Sequence, residues 1–180
     1  IRAACWQNRH VGRHIVTTAV EHHAVLNCCQ QLEQEGWEVT TVLPDQNGDI
    51  SAESVLAAVR PDTALVSVMY VNNEIGAVQD IAALSRVVKE KNPKTYVHVD
   101  AIQAFGKYHI YPKRMGIDML SVSSHKLHGP KGVGLLYIDD KVKIVPIIYG
   151  GGQQKGMRSG TDNVPGIAGL GVAAKEAYQD

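Results

Sequence analysis

The run Ala64-Leu-Val-Ser-Val-Met69 is apolar, of strand length, and does not alternate between apolar and polar residues. A strand of that kind needs cover on both faces, which is the situation of a parallel sheet enclosed by helices. The rest of the chain agrees, because extended and helical segments alternate along it. The β-branched segment His14-Ile-Val-Thr-Thr18 reads as a strand, as do Trp37–Leu43, Tyr96–Val99 and Met119–Val122. Between them lie helical stripes: Val25, Cys29 and Leu32, closed by Gly36; then Val55, Leu56 and Val59, capped by Ser51. A third stripe, Ile81, Leu84 and Val88, is capped by Asp80 and ended by Asn92-Pro93. Gly134-Leu-Leu-Tyr-Ile138 follows Met119–Val122 closely enough to return antiparallel. A last helix, capped by Asp162 or Asn163, is expected to turn Ile167, Leu170 and Ala174 inward. The expected fold is α/β: a mostly parallel sheet with one antiparallel strand and helices on both faces.

A chain of 180 residues suffices for one domain with its own core. Its formal charge is zero and no basic stripe is visible, so nucleic acid and anionic membranes are not expected partners. No apolar run approaches the roughly 18 residues that a membrane span needs. Cys5, Cys28 and Cys29 are odd in number, two of them adjacent, and lack metal-type spacing. They argue against a disulfide scaffold and for a reducing cytoplasm. The chain opens as if in mid-helix, without a cap, and Ala173–Tyr178 stops within a helical pattern. A piece of a longer protein is therefore expected.

The strands end on polar side chains, and ligands of such sheets bind beyond the carboxyl ends of strands. Met119–Val122 leads into Ser123-Ser-His-Lys126 and then a glycine- and proline-rich turn, while Tyr96–Val99 leads into Asp100. A lysine and an aspartate at neighbouring strand exits are what an enzyme needs to hold pyridoxal 5'-phosphate (PLP). The lysine forms an imine with the aldehyde, and the carboxylate keeps the ring nitrogen protonated. Ser123 and His125 flank the lysine and can reach a phosphate. His125 and His128 have no glutamate between them and no third ligand, so no metal is expected. Glu21-His22-His23 would be exposed residues at a helix start, one imidazole being free to stack on a flat cofactor; the spacing does not choose which. Cys28 and Cys29 fall mid-helix, where cysteine behaves as a small hydrophobe rather than a nucleophile. The loop Gly150–Thr161 carries two cations and two hydroxyls and suits a phosphate or carboxylate contact, but lacks a nucleotide-binding pattern.

Five segments in this order resemble the cysteine desulfurases, PLP enzymes close to the selenocysteine lyases. They are Thr18-Ala-Val-Glu-His-His-Ala-Val25, Val71-Asn-Asn-Glu-Ile-Gly76, His98-Val-Asp-Ala-Ile-Gln103, Ser123–Gly132, and Gly150-Gly-Gly-Gln with Met157-Arg-Ser-Gly-Thr161. The resemblance spans essentially the whole chain. It implies that residues 1–180 are part of the large domain of a fold-type I PLP enzyme, with an N-terminal segment and a C-terminal small domain absent. It implies that Lys126 bonds the cofactor and shuttles the substrate α-proton, and that Asp100 pairs with the ring nitrogen. Gln103 would contact the ring hydroxyl, and His22 would stack over the ring and assist proton transfer. Asn73 would lie by the ring hydroxyl and the substrate carboxylate, and Ser123 and His125 would hold the phosphate. Thr161 would reach the phosphate of a partner subunit, which implies a homodimer. The implied reaction removes sulfur from L-cysteine, leaving alanine and an enzyme persulfide for a sulfur-acceptor protein, with iron–sulfur assembly one such pathway. Selenocysteine lyase and other class V aminotransferase-like enzymes are the alternatives. The family's nucleophilic cysteine loop is absent, so this polypeptide alone is expected to be a folded core without turnover. Ile102, where Thr or Ala is frequent, and a slightly long Lys89–Thr95 segment depart from the pattern without touching a proposed contact.

Overall fold

The computed structural model describes residues 1–179. Its elements follow in chain order: α1 (Arg2–Asn8), β1 (His14–Thr18), α2 (His23–Gln34), β2 (Glu38–Val42), α3 (Ala52–Ala58), β3 (Thr63–Met69), α4 (Ile81–Lys91) and β4 (Tyr96–Asp100). Then come α5 (Pro112–Met115), β5 (Met119–Ser123), a 3₁₀ turn (Ser124–Leu127), β6 (Gly134–Ile138), a second 3₁₀ turn (Gln153–Gly156) and α6 (Val164–Ala177). The strands form one sheet in the order β2-β1-β3-β4-β5-β6. The first five are parallel, and β6 returns antiparallel to β5. The expected α/β architecture is therefore the observed one.

β3 is buried at every position from Thr63 to Met69, as its unbroken apolar run requires. Successive side chains point to opposite faces, and the two faces carry separate cores. On one, Val16, Val66, Val68, Val97, Val99, Leu120 and Val122 meet Val55 of α3, Ile81, Leu84 and Val88 of α4, and Leu170 and Ala173 of α6. On the other, Ile15, Leu65 and Met119 meet Ala4 and Cys5 of α1 and Val25, Cys29 and Leu32 of α2. Full burial of each such aliphatic side chain stabilises by about 1.5–3 kcal/mol. The caps form as well: Ser51 Oγ accepts from Ser54 N–H, Asp80 Oδ1 from Ala83 N–H, and Asn163 Oδ1 from Gly166 N–H. Gly36, at φ 85°, follows the end of α2.

Some expectations shift. Trp37 and Leu43 fall outside β2. Leu56 is exposed, because α3 turns Val55 inward, in line with the buried Val59 that caps its C-terminal end. In α6 Gly166, Leu170 and Ala173 are buried and Ala174 packs half-buried against the core, as expected of Leu170 and Ala174, whereas Ile167 faces outward at 46% exposure. The cause is glycine. A Cβ on Gly166 would lie 2.5 Å from Val133 Cγ2, and one on Gly169 2.6 Å from Pro130 Cγ. The helix backbone presses on the turn after Lys126 along its glycine face, and that choice of face turns Ile167 away.

Candidate active site

Asp100 ends β4 and is buried. The segment after it winds through turns rather than a regular helix, with Ala104 N–H and Phe105 N–H both bonding Ala101 O. This tight return aims Ile102 N–H back at Asp100 Oδ1, 3.0 Å away. Oδ2 takes no hydrogen bond among the described residues. Burial pushes the carboxyl up from its usual range, against the pull of the Ile102 N–H and of the nearby His22. The site thus contains a buried acceptor with one lone oxygen and no fixed cation against it.

β5 lies beside β4, parallel, with Asp100 opposite Ser121. Both strands therefore leave the sheet at the same edge. Ser123 ends β5, and Ser124–Leu127 forms a single 3₁₀ turn. His128, in the left-handed region at φ 65°, closes it by donating its N–H to Ser124 O. Gly129 must be glycine here, because a Cβ would sit 2.1 Å from Ser124 Oγ. Ser123 Oγ and His125 Nδ1 share a hydrogen bond of 2.8 Å. His125 and Lys126 are exposed, so the lysine opens to solvent and is not enclosed by the described residues. Leu127 is buried beneath and anchors the turn.

His22 caps α2: its Nδ1 accepts Ala24 N–H at 3.1 Å, so a neutral ring carries its proton on Nε2. Among the histidine pair, it is His22 whose charge reaches Asp100. Asn73 and Gln103 follow β3 and β4 at this same edge, with Asn73 exposed and Gln103 half-buried. Asn72 does the structural work beside Asn73, its Oδ1 accepting from Glu74 N–H and Ile75 N–H. Thr161 is exposed in the loop before α6 and shares no hydrogen bond with the other candidates. The loop is braced by Ser159, whose Oγ donates to Gly151 O at 2.7 Å and whose N–H bonds Ile148 O.

Glu21 corrects an expectation. It is 6% exposed, not a solvated helix-start residue. Burial pushes its carboxyl up to about 8, and Asp100 adds to the rise. The sequence signal was slight: a glutamate between a buried strand and a helix cap. Two further buried histidines lie inside the sheet. His98 sits between Ser67 and Ser121 on the flanking strands, each hydroxyl 2.8 Å from a ring nitrogen, and burial lowers its pKa to about 3. His14 is held the same way by Thr63 and Thr40. Cys5 and Cys29 are unreactive by environment: burial pushes both up to about 12.

A parallel sheet whose strand exits gather a buried aspartate, an exposed lysine and two histidines defines an α/β core of the class that binds ligands beyond the carboxyl ends of its strands. Comparison with known proteins refines this class. The family profile described as aminotransferase class-V matches residues 2–179, and the chain belongs to that family. It is 52% identical over 170 residues to the putative cysteine desulfurase IscS 1 of Bacillus subtilis, an alignment covering 94% of this chain and 44% of that protein. It is 47% identical over its full 180 residues to the cysteine desulfurase IscS of Clostridium botulinum, covering 45% of that protein. Among solved structures, a NifS-like protein superposes at a TM-score of 0.94 with 44% identity, covering 97% of this chain and 48% of that one. A structure titled SspA in complex with cysteine superposes at 0.91 with 43% identity, covering 97% and 50%. The chain thus spans about half the length of the relatives it matches. Among the described residues, no helix is long and apolar enough to cross a membrane.

Proposed function

We propose that this chain supplies the cofactor-binding core of a PLP-dependent cysteine desulfurase. The observation that carries the reading is Asp100. A buried carboxylate with a lone Oδ2 and no fixed cation suits a protonated pyridine nitrogen, whose charge would reverse the cost of burying it. The neighbouring donors suit the rest of the same molecule. Lys126 offers an amine to the aldehyde, and Ser123 and His125, already joined to each other, offer donors to the phosphate. His22, at the start of α2 and electrostatically coupled to Asp100, would cover the ring face and assist proton movement. Asn73 and Gln103 would meet the ring hydroxyl. When bound, the cofactor supplies an electron sink for the carbanion left by loss of the substrate α-proton.

In this reading Lys126 carries that proton between carbon atoms. The substrate is L-cysteine, its carbon–sulfur bond breaks, and the sulfur passes to a protein thiolate while alanine leaves. Cys5 and Cys29, buried and fully protonated at neutral pH, do not suit the thiolate role. Thr161 would contact the phosphate bound by a second subunit. The exposed apolar run Ile147–Tyr149, hydrogen-bonded to the Thr161 loop through Ser159, supports a homodimer. A sulfur-acceptor protein and a cytoplasmic setting complete the reading.

The test is spectroscopic. Added PLP should give a visible absorbance band that disappears in Lys126→Ala and weakens in Asp100→Asn. A band of equal strength in the Lys126→Ala protein would remove the lysine from the site. Sulfide release from L-cysteine, compared with selenide release from selenocysteine, then separates desulfurase from selenocysteine lyase.

A further inference from the structure

Glu21 is a buried ionisable group for which the proposed reaction has no use. Its Oε1 accepts two hydrogen bonds, from Thr18 Oγ1 at 2.7 Å and from Met69 N–H at 2.6 Å. Those bonds tie the exit of β1 to the exit of β3. Asn72 adds a stitch between the same two loops, its Nδ2 donating to Val20 O at 2.9 Å. One loop delivers His22, and the other delivers Asn73. Glu21 therefore sits at the joint between two carriers of proposed cofactor contacts.

Its second oxygen is the informative one. Oε2 is buried and meets no polar partner among the described residues. An anionic oxygen in that position would be desolvated without compensation. It would also repel Asp100, whose carboxyl on β4 lies near enough to be felt. His22 follows it in the chain with its Nδ1 turned to Ala24 N–H, and Cys29 on α2 feels its charge, the buried thiol supplying no positive charge. A proton on Oε2 removes the repulsion and replaces a bare buried charge by a neutral hydroxyl, which costs far less to desolvate.

We propose that Glu21 is a positioning residue held as a neutral carboxylic acid, which locks the β1–α2 loop to the β3–α4 loop and adds no second negative charge beside Asp100. The assignment deepens the PLP reading and rests on it only for the expected effect on cofactor affinity. Glutamine should replace it well, since the amide is neutral and keeps a carbonyl oxygen for Thr18 and Met69. Alanine should not.

The test compares wild type, Glu21→Gln and Glu21→Ala by infrared spectroscopy, amide hydrogen exchange and PLP titration. At about pH 6 the wild-type protein should show a protonated-carboxyl band that is absent from Glu21→Gln, persists in Asp100→Asn, and fades as pH rises through about 8. Exchange protection at Met69 should survive in the glutamine variant and fall in the alanine variant. PLP affinity should stay within about twofold for glutamine and drop about tenfold for alanine. Absence of the band from wild type at that pH, or loss of Met69 protection in the glutamine variant, overturns the proposal. Should Glu21→Ala not fold, the wild-type and glutamine proteins alone decide it. If wild type takes up no PLP, the cofactor reading falls, while band and exchange still decide the state and role of Glu21.

Discussion

The histidines inside the sheet and those at its carboxyl edge do opposite jobs with the same side chain. His98 spends both ring nitrogens on Ser67 and Ser121, and His14 spends both on Thr63 and Thr40. Each is sealed between neighbouring strands, neutral and saturated. His22 and His125 each give one nitrogen to a local partner and, among the described residues, leave the other uncommitted. Reactivity follows the free valence. A polar group buried and fully bonded fixes strand register, whereas the same group half-bonded at a strand exit is available to a ligand.

The largest expected effect sets those two kinds against each other. His98→Ala opens a cavity and orphans the buried Ser67 hydroxyl and the half-buried Ser121 hydroxyl, so urea unfolding should show a loss of about 3 kcal/mol. His22→Ala should cost less than about 1 kcal/mol, a cap's worth, yet weaken PLP binding. Comparable stability losses in both variants would erase the distinction. The pH profile sharpens it. His98 is neutral when folded, with its pKa lowered from 6.5 to about 3, so its stabilising contribution is present above 6.5 and lost as pH falls toward 3. Glu21 is shifted the other way, from 4.5 to about 8, so its contribution is full below 4.5 and lost as pH rises toward 8. Between 4.5 and 6.5 the two slopes oppose each other. Their sum predicts a flat summit there and falling limbs on either side, each on the order of a few kcal/mol. Thermal melts across pH should show it, and Glu21→Gln should level the alkaline limb and turn the summit into a continued rise up to about pH 6.5, where His98 alone acts. The smallest effect concerns Ser124, whose buried Oγ has no partner among the described residues. Ser124→Ala should be neutral or stabilise by up to about 1 kcal/mol, whereas Ser67→Ala, which strands a His98 nitrogen, should destabilise by about 1–3 kcal/mol. Equal losses from both would mean that saturation is not what matters.

Much of this architecture can be read along the chain because its signals are local. The unbroken apolar run of β3 demanded two covering layers, and Ser51, Asp80 and Asn163 announce their helices by chemistry that acts within three residues. Asp100 and Lys126 stand out because each interrupts an apolar strand at its end. What escaped depended on distant partners. Glu21 is buried by an N–H that lies 48 residues further on. The hydroxyl clamp on His98 exists only once β3, β4 and β5 are in register. The inward face of α6 was set by Val133 and Pro130, which no helical period can foresee.

Those bare positions on α6 bear on how the lysine moves. The turn that carries Lys126 is backed at Pro130 and Val133 by the helix's own main chain rather than by side chains. Side chains hop among rotamers within nanoseconds, but a peptide ribbon shifts only as a unit. The seat of Lys126 should therefore be stiff on fast timescales, and repositioning it would require the slower, concerted displacement of an entire fourteen-residue rod.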